Sequence, residues 1–154
     1  MKSRLTLSLP IHHIFGSEKV TTVIDPDQEA LAELMLDAYK GTVDYEGESL
    51  EDAREEIGNI AAGKYGTFLK DHSFLSWEEG ILASATLVTL FEEKPLLAIG
   101  MTRSEFKRRG HAKELITASA ISLQKAGYKS LDLWVTDTNE PAVNLYRKLG
   151  FREA

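Results

Sequence analysis

The chain has 154 residues, 43% hydrophobic and 27% charged, with a net charge of -6. This length predicts a single domain over 1–154, with 1–19 as an amino-terminal extension or an extra strand. The absence of cysteine excludes disulfides, zinc–thiolate sites and cysteine nucleophiles. The acidic charge argues against nucleic-acid binding, and no apolar run is long enough to span a bilayer. We therefore expect a cytoplasmic protein with neither nucleic acid nor a membrane as partner.

The first half of the chain predicts two helices set among strands. Residues 20–24 (VTTVI) have strand composition, and 25–39 place apolar side chains at helical spacing. Residues 49–63 (SLEDAREEIGNIAAG) predict a second helix that Ser49 caps and Gly63 ends. Strand-like runs follow at 66–70, 73–77 and 80–91, with a hairpin turn at Glu78, Glu79 and Gly80.

The second half predicts a strand–helix–strand crossover. Residues 95–101 (PLLAIGM) form a short apolar run, and the residues after 111 carry one apolar helical face that ends at Gly127. Residues 130–136 (SLDLWVT) alternate as a strand does, so the two strands should be parallel. A last helix is expected to begin near Asn139 and end at Gly150.

Residues 106–116 (FKRRGHAKELI) place cations where the central helix begins. The amino end of a helix carries partial positive charge and exposed backbone amides, so it favours an anion and not cations. The cations of this basic loop, defined as residues 107–113, are Lys107, Arg108, Arg109, His111 and Lys113. A bound phosphate would resolve the conflict. A solvated basic edge, screened by salt, is the alternative.

Three phosphate-binding motifs can be compared with this loop. A P-loop would need Gly-Lys-Ser/Thr after a spaced glycine, which the chain lacks, and Gly110 stands without the further glycines of a dinucleotide fingerprint. The segment KRRGHA, 107–112, resembles instead the pyrophosphate loop of the GNAT superfamily of N-acetyltransferases, Gln/Arg-x-x-Gly-x-Gly/Ala. Lys107 stands at the Gln/Arg position, where it keeps the charge but not the planar fork of arginine.

A second segment extends the resemblance. NEPAVNLYRKLGF, 139–151, resembles the closing motif of that superfamily, Asn-x-x-Ala-x-x-Leu-Tyr-x-x-x-Gly-Phe, at every defining position. The chain is therefore identified as a member of the GNAT superfamily. The resemblance implies an α/β fold with a mixed, mostly antiparallel sheet, a central parallel strand pair and flanking helices. It also implies an N-acetyltransferase that moves an acetyl group from its co-substrate acetyl-CoA to a primary amine of a small molecule or protein.

The resemblance also implies site residues. Tyr146 is expected to be catalytic as general acid toward the departing sulfur, and a tyrosine of ordinary pKa, about 10, holds the required proton at neutral pH. Asn139 would cap its helix whether or not it binds a ligand. The residues expected to bind acetyl-CoA are Gly100, Met101, Thr102, Lys107, Arg108, Arg109, Gly110, His111, Ala112, Lys113, Asn139, Ala142 and Tyr146.

The general base and the acceptor are less defined. The base candidates are Asp44, Glu46, Glu48 and Asp132, and no spacing singles one out. Residues 37–56 contain eight acids and two bases, and the resemblance implies that this stretch lies on the acceptor side of the cleft. It favours a cationic acceptor, although a solvated acidic helix face has the same composition.

Alternative functions follow from the same residues. One is a non-catalytic acyl-CoA-binding regulatory module of the same fold, and another is a phosphate or nucleotide binder unrelated to CoA. His12, His13 and His72 lack companions at metal-ligand spacing, so no metal is expected. Relatives usually continue past the Gly-Phe pair with another strand, whereas here FREA follows. The alternating segment LTLSLPI is expected to pair at that sheet edge or with a second copy, which would give a homodimer.

Overall fold

The computed structural model describes residues 3–10, 21–22 and 28–154. The helices in these ranges are α1 Gln28–Tyr39, α2 Leu50–Ala61, α3 His111–Lys125 and α4 Glu140–Lys148. The strands are β1 Arg4–Pro10, β2 Thr21–Thr22, β3 Thr67–Phe68, β4 Phe74–Glu78, β5 Ile81–Phe91, β6 Lys94–Thr102, β7 Ser130–Thr136 and β8 Arg152–Glu153. None of the helices in the described ranges is long and apolar enough to cross a membrane. Most of the predicted strand 20–24, with His12 and His13, lies outside the described residues.

The strands form one mixed sheet in the order β2-β4-β5-β6-β7-β1-β8, with β3 paired to β5. Neighbouring strands are antiparallel except for β6 and β7, which are parallel and are joined through α3. The sheet confirms the fold class expected from the sequence, an α/β fold with a mixed, mostly antiparallel sheet and a central parallel pair.

The helix ends follow the local sequence. Ser49 caps α2, where its hydroxyl accepts from the Asp52 amide while the Asp52 carboxylate accepts from the Ser49 amide. This reciprocal capping box satisfies two donors that would otherwise be unpaired. Helix α3 begins after Gly110 without a side-chain cap, so its first amides are left for another partner.

Strand β1 fills the sheet edge that the sequence left open. It lies between β7 and β8 and is antiparallel to both. Leu7 and Leu9 are buried among Leu131, Leu133 and Phe151. Residues 5–10 of the segment LTLSLPI therefore pair at this edge within the chain.

Two apolar cores lie on opposite faces of the sheet. Leu87 of β5 packs with α1 and α2, whereas the next residue, Val88, packs with α3. Because successive side chains of a strand point to opposite faces, α1 and α2 cover one face and α3 covers the other. The packing of Ala142 and Tyr146 in the second core places α4 on the same face as α3.

A β-bulge interrupts β6 in the middle of the sheet. Leu87 pairs with Ile99 and Val88 pairs with Leu97, so Ala98 is an extra residue without a partner in β5. The bulge reverses the alternation, because Leu97 packs in the α3 core and Ile99 in the α1–α2 core. Bulges of this kind bend a strand and end regular pairing.

Candidate active site

The parallel strands β6 and β7 are paired along only part of their length. Their hydrogen-bonded register covers residues 96–97 of β6 and 132–133 of β7. Both strands continue, and we call the gap between 99–102 of β6 and 134–136 of β7 the strand opening. It begins directly after the bulge, which explains why the pairing stops. On this side the backbone groups of β6 pair with none of the described strands and are placed to bind a ligand.

Tyr146 of α4 places its hydroxyl at the strand opening. The ring contacts Phe151 edge-on, with 5.6 Å between ring centroids. The hydroxyl oxygen lies 3.4 Å from the position that a Cβ atom would occupy on Gly100. The absence of a side chain at Gly100 therefore lets the phenol approach the β6 backbone. Burial raises the pKa of Tyr146 to about 12, so the hydroxyl keeps its proton at neutral pH.

The start of α4 brings the other predicted residues of the closing motif together. Asn139 caps the helix, where its Oδ1 accepts from the Ala142 amide at 3.4 Å. Ala142 is partly buried and packs in the same core as Tyr146. The three residues therefore share one side of α4, as their spacing predicts. The capping role of Asn139 is observed, and its ligand contact stays a prediction.

Asp44 connects the α1–α2 loop to the strand opening. Its Oδ1 accepts from the Thr136 hydroxyl at 2.6 Å, and its Oδ2 accepts from Asn139 Nδ2 at 3.2 Å. Thr136 is the last residue of β7 and Asn139 is the cap of α4. The carboxylate therefore sits where the strand ends and the helix that carries Tyr146 begins.

Aromatic and acidic side chains lie on the α1–α2 side of the opening. Burial raises the pKa of Tyr39, and the charges of Tyr146, Asp44 and Glu56 raise it further. The Tyr65 hydroxyl donates to both Glu56 oxygens, at 2.8 and 2.9 Å. Tyr39 and Tyr146 pack on opposite faces of the sheet, yet they lie close enough for charge on Tyr146 to raise the pKa of Tyr39.

Four other acids of the stretch 37–56 have structural hydrogen bonds. Glu48, Glu51 and Asp52 accept from their own loop or helix, and Asp37 accepts from the Ser104 amide after β6. Capping and pairing therefore account for these four acids. Asp44 and Glu56 are the members that approach Tyr39.

The structure separates the four predicted base candidates. Asp132 lies in the paired segment of β7, at the closed end of the strands. Glu46 and Glu48 stay on the exposed loop, where the Glu46 amide donates to Glu48 Oε2 at 2.8 Å. Of the four, Asp44 is the one that is hydrogen-bonded to residues at the opening.

The basic loop follows β6 at the same end of the sheet. Arg108 and Gly110 both have left-handed backbone, with φ of 67° and 86°. Such turns direct successive amides toward one point, and arginine adopts this conformation only at a cost in free energy. The first amides of α3 lie directly after the loop, so the backbone alone can form an anion site.

Two of the predicted loop cations bind a carboxylate on β4. Arg109 Nη1 donates to Glu78 Oε1 at 2.5 Å, and His111 Nε2 lies 2.6 Å from Glu78 Oε2. His111 Nδ1 is also 2.6 Å from the Ser76 hydroxyl. The hydrogen bond with His111 and the nearby Arg109 lower the pKa of Glu78. Glu78 therefore tethers the loop and neutralises part of its charge.

The remaining cations of the loop are available to an anion. Lys107, Arg108 and Lys113 are exposed and form no ion pair with another described residue. Gly110 and Ala112 contribute backbone at the helix start. The candidate anion site thus consists of backbone amides with three exposed cations around them.

A separate hollow of about 430 Å³ lies on the other side of α4, lined by Asn144, Arg147, Lys148 and Arg152. Its arginines have local partners, since Arg147 pairs with Glu153 and Arg152 donates to backbone carbonyls. This hollow is therefore not part of the opening. Across the described ranges, no group of three or more His, Asp or Glu side chains could hold a metal ion.

Several site residues were not identified from the sequence. Tyr39 ends α1 and belongs to no motif, and Glu78 was assigned to a hairpin turn without a role in the loop. The packing of the start of α3 against β4 brings Glu78 and Ser76, which precede His111 by 33 and 35 residues, to its side chain. The sequence could have suggested Glu78 as a partner of the basic loop only by its opposite charge. Many other acids in the chain have the same charge, so this property does not single out Glu78.

Comparison with known proteins gives a partial match of sequence and matches of fold over nearly all of this chain. The chain is 34% identical over 76 residues to the ribosomal protein bS18-alanine N-acetyltransferase of Haemophilus ducreyi, which is 49% of this chain and 52% of that protein. The GCN5-related N-acetyltransferase from Sphaerobacter thermophilus matches with a TM-score of 0.71 and 18% identity, over 99% of this chain and 49% of that one. The chain therefore spans about half the length of these two relatives. PaiA N-acetyltransferase from Thermoplasma acidophilum, in complex with coenzyme A, matches with a TM-score of 0.65 and 19% identity over 97% of this chain and 90% of that one.

Residues 29–151 match the acetyltransferase (GNAT) family, a range that begins in α1 and ends after α4. It includes the strand opening, the basic loop and Tyr146. Since the match covers most of the chain, this protein belongs to the GNAT acetyltransferase family.

Proposed function

We propose that this chain transfers an acetyl group from acetyl-CoA to a primary amine. The observation that carries the proposal is the position of the Tyr146 hydroxyl against Gly100, inside an opening that leads to an anion-binding loop. A thioester on a long, thin arm that is joined to a pyrophosphate fits this combination of gap and loop. The fold shared with a relative in complex with coenzyme A supports the same ligand.

The basic loop holds the pyrophosphate of acetyl-CoA in this proposal. The donors are the backbone amides at Gly110, His111, Ala112 and Lys113, with the charges of Lys107, Arg108 and Arg109 around them. Ala142 leaves room for the pantetheine arm beside Asn139, because a larger side chain would fill the side of α4 that faces it. Backbone groups of Gly100, Met101 and Thr102 bind the arm and the thioester carbonyl, and fixed donors of this kind stabilise the oxyanion of the tetrahedral intermediate.

Tyr146 acts as general acid in the proposed reaction. The acceptor amine attacks the thioester carbonyl, and the C–S bond breaks with its electron pair leaving on sulfur. The Tyr146 hydroxyl donates its proton toward that sulfur. With a pKa of about 12, the phenol keeps its proton throughout the neutral range and is therefore available as a proton donor.

The acceptor is a small-molecule or protein amine that enters from the α1–α2 side. Asp44 and Glu56 lie on this side and give it negative potential, which favours an acceptor with positive charge. A peptide α-amine belongs among the candidates, because the Haemophilus ducreyi relative is named for an alanine of a ribosomal protein.

Ligand-dependent thermal unfolding combined with acetyl-CoA turnover tests this function. CoA and acetyl-CoA should raise the melting temperature, whereas ATP and NAD at the same concentration should not, because stabilisation follows binding to the folded state. A panel of cationic, neutral and anionic amines should then release CoA, with cationic amines fastest. Stabilisation without turnover of any amine would favour the non-catalytic module, and equal stabilisation by ATP would favour a general phosphate binder.

A further inference from the structure

We propose that Asp44 is the catalytic carboxylate that binds the acceptor ammonium and accepts its proton. The assignment rests on the proposed function, which leaves the base of the reaction open. It concerns the face of the opening opposite to the basic loop. Three features carry it: the position of Asp44, the capacity of its carboxylate, and the groups around it.

The position of Asp44 is fixed by both elements that frame the opening. Thr136 at the end of β7 donates to one carboxylate oxygen at 2.6 Å, and Asn139 at the cap of α4 donates to the other at 3.2 Å. Tyr146 lies two helical turns after that cap, on the same side of α4. The carboxylate and the phenol are therefore held by one rigid strand–helix connection.

The carboxylate of Asp44 keeps capacity for a ligand. A carboxylate offers about four lone-pair sites on its two oxygens, and the two hydrogen bonds from Thr136 and Asn139 use two of them. The side chain is partly buried, so it stays accessible from the opening. An ammonium group has three donors and can reach the remaining sites.

The surroundings of Asp44 favour a positively charged ligand. Tyr39 of α1 lies close enough to Asp44 for the carboxylate charge to raise the pKa of its phenol, in addition to the larger effect of burial. An ammonium bound at Asp44 would therefore lie near a neutral phenol.

The ammonium nitrogen gives one proton to Asp44, which passes it to solvent, and the freed lone pair forms the C–N bond. The second nitrogen proton leaves as the C–S bond breaks, and the electron pair of that bond departs on sulfur. Sulfur takes a proton from Tyr146, which solvent restores with the second nitrogen proton. The products are the amide, CoA thiol and one released proton.

Asp44→Asn and Glu48→Gln form a matched pair, since each removes one negative charge from the same loop while keeping side-chain size. We expect Asp44→Asn to lower kcat/KM for the amine by about 100-fold or more, the usual contribution of a general base. Glu48→Gln should stay within about twofold of the wild type, because its carboxylate binds a local amide. CoA should stabilise both variants as it does the wild type.

The pH dependence separates a base from a purely structural residue. An alkyl ammonium has a pKa of about 10.4, so at pH 10 much of the amine is free and needs no base. The deficit of Asp44→Asn should therefore shrink as pH rises from 7 to 10, and Asp44→Glu should recover part of the rate at pH 7. A deficit that is constant with pH, a lost CoA stabilisation, or equal rates in Asp44→Asn and Glu48→Gln would overturn the assignment. Absence of turnover in the wild type would overturn the proposed function itself and this assignment with it.

Discussion

Glu78 gives the basic loop a carboxylate partner that competes with any anion bound there. Its two oxygens bind Arg109 and His111, and the His111 side chain is held from its other ring nitrogen by Ser76. The Arg109 side chain is about half exposed, so a phosphate can reach it from solvent. An anion at the loop would share Arg109 with Glu78 or take it over.

Glu78→Gln should therefore strengthen CoA binding. Glutamine keeps an oxygen that can accept from His111, whereas the competing negative charge is removed. We expect CoA to bind about two- to fivefold more tightly at low salt, the usual scale of a partly exposed ion pair, as measured by calorimetry. Glu79→Gln, which removes the same charge from the adjacent turn, serves as control. Weaker CoA binding in Glu78→Gln would instead show that Glu78 is needed to position the loop.

At the scale of elements, β1 completes the part of the sheet that supports the active side of the molecule. It separates β7 from β8 and covers the core beneath α3 and α4. Leu7 is fully buried in that core, whereas Thr6 on the opposite face of the strand is exposed. The strand therefore contributes to stability through one face.

Leu7→Ala should lower the free energy of unfolding by about 2–5 kcal/mol, because it removes buried methyl groups and leaves a cavity. Thr6→Ala, on the other face of β1, should change it by no more than about 0.5 kcal/mol. Urea unfolding followed by tryptophan fluorescence measures both, since Trp134 lies on the neighbouring strand. Equal stability of the two variants would contradict the placement of β1 within the sheet.

At the scale of the whole molecule, the predictable part of the fold is the part determined by local pattern. Alternation predicted β7, apolar spacing predicted α3, and Ser49 marked the start of α2. Strand–helix–strand order then required the parallel pair of β6 and β7. These features follow from residues that are close in the sequence or from the right-handed crossover of a strand–helix–strand unit.

The rest of the site depends on contacts between distant residues. The bulge at Ala98 opens the strands, yet nothing in the run PLLAIGM distinguishes Ala98 from its neighbours. The sequence did not distinguish Asp44 from the three other candidate bases. Its hydrogen bond with Thr136, which is distant in the sequence, does so in the folded structure. The motif at 139–151 predicted which residues share one side of α4, and tertiary packing determined what faces them.

Acyl transfer is proposed to occur at Tyr146 in the strand opening. Burial raises the pKa of Tyr146 from about 10 to about 12, so the stabilisation that comes from keeping this phenol protonated is complete below pH 10 and is lost as pH rises through 12. The rate should therefore show no alkaline decline caused by Tyr146 between pH 7 and pH 10.

The most direct test is the turnover of acetyl-CoA by wild type and Tyr146→Phe with the best amine from the panel, from pH 7 to pH 10. The account predicts a kcat at least about 100-fold lower in Tyr146→Phe, with unchanged stabilisation by CoA, since the phenylalanine keeps the packing against Phe151 and removes the proton donor. Full turnover by Tyr146→Phe, or a wild-type rate that declines with a pKa near 8 to 9 and loses that decline in the variant, would contradict it.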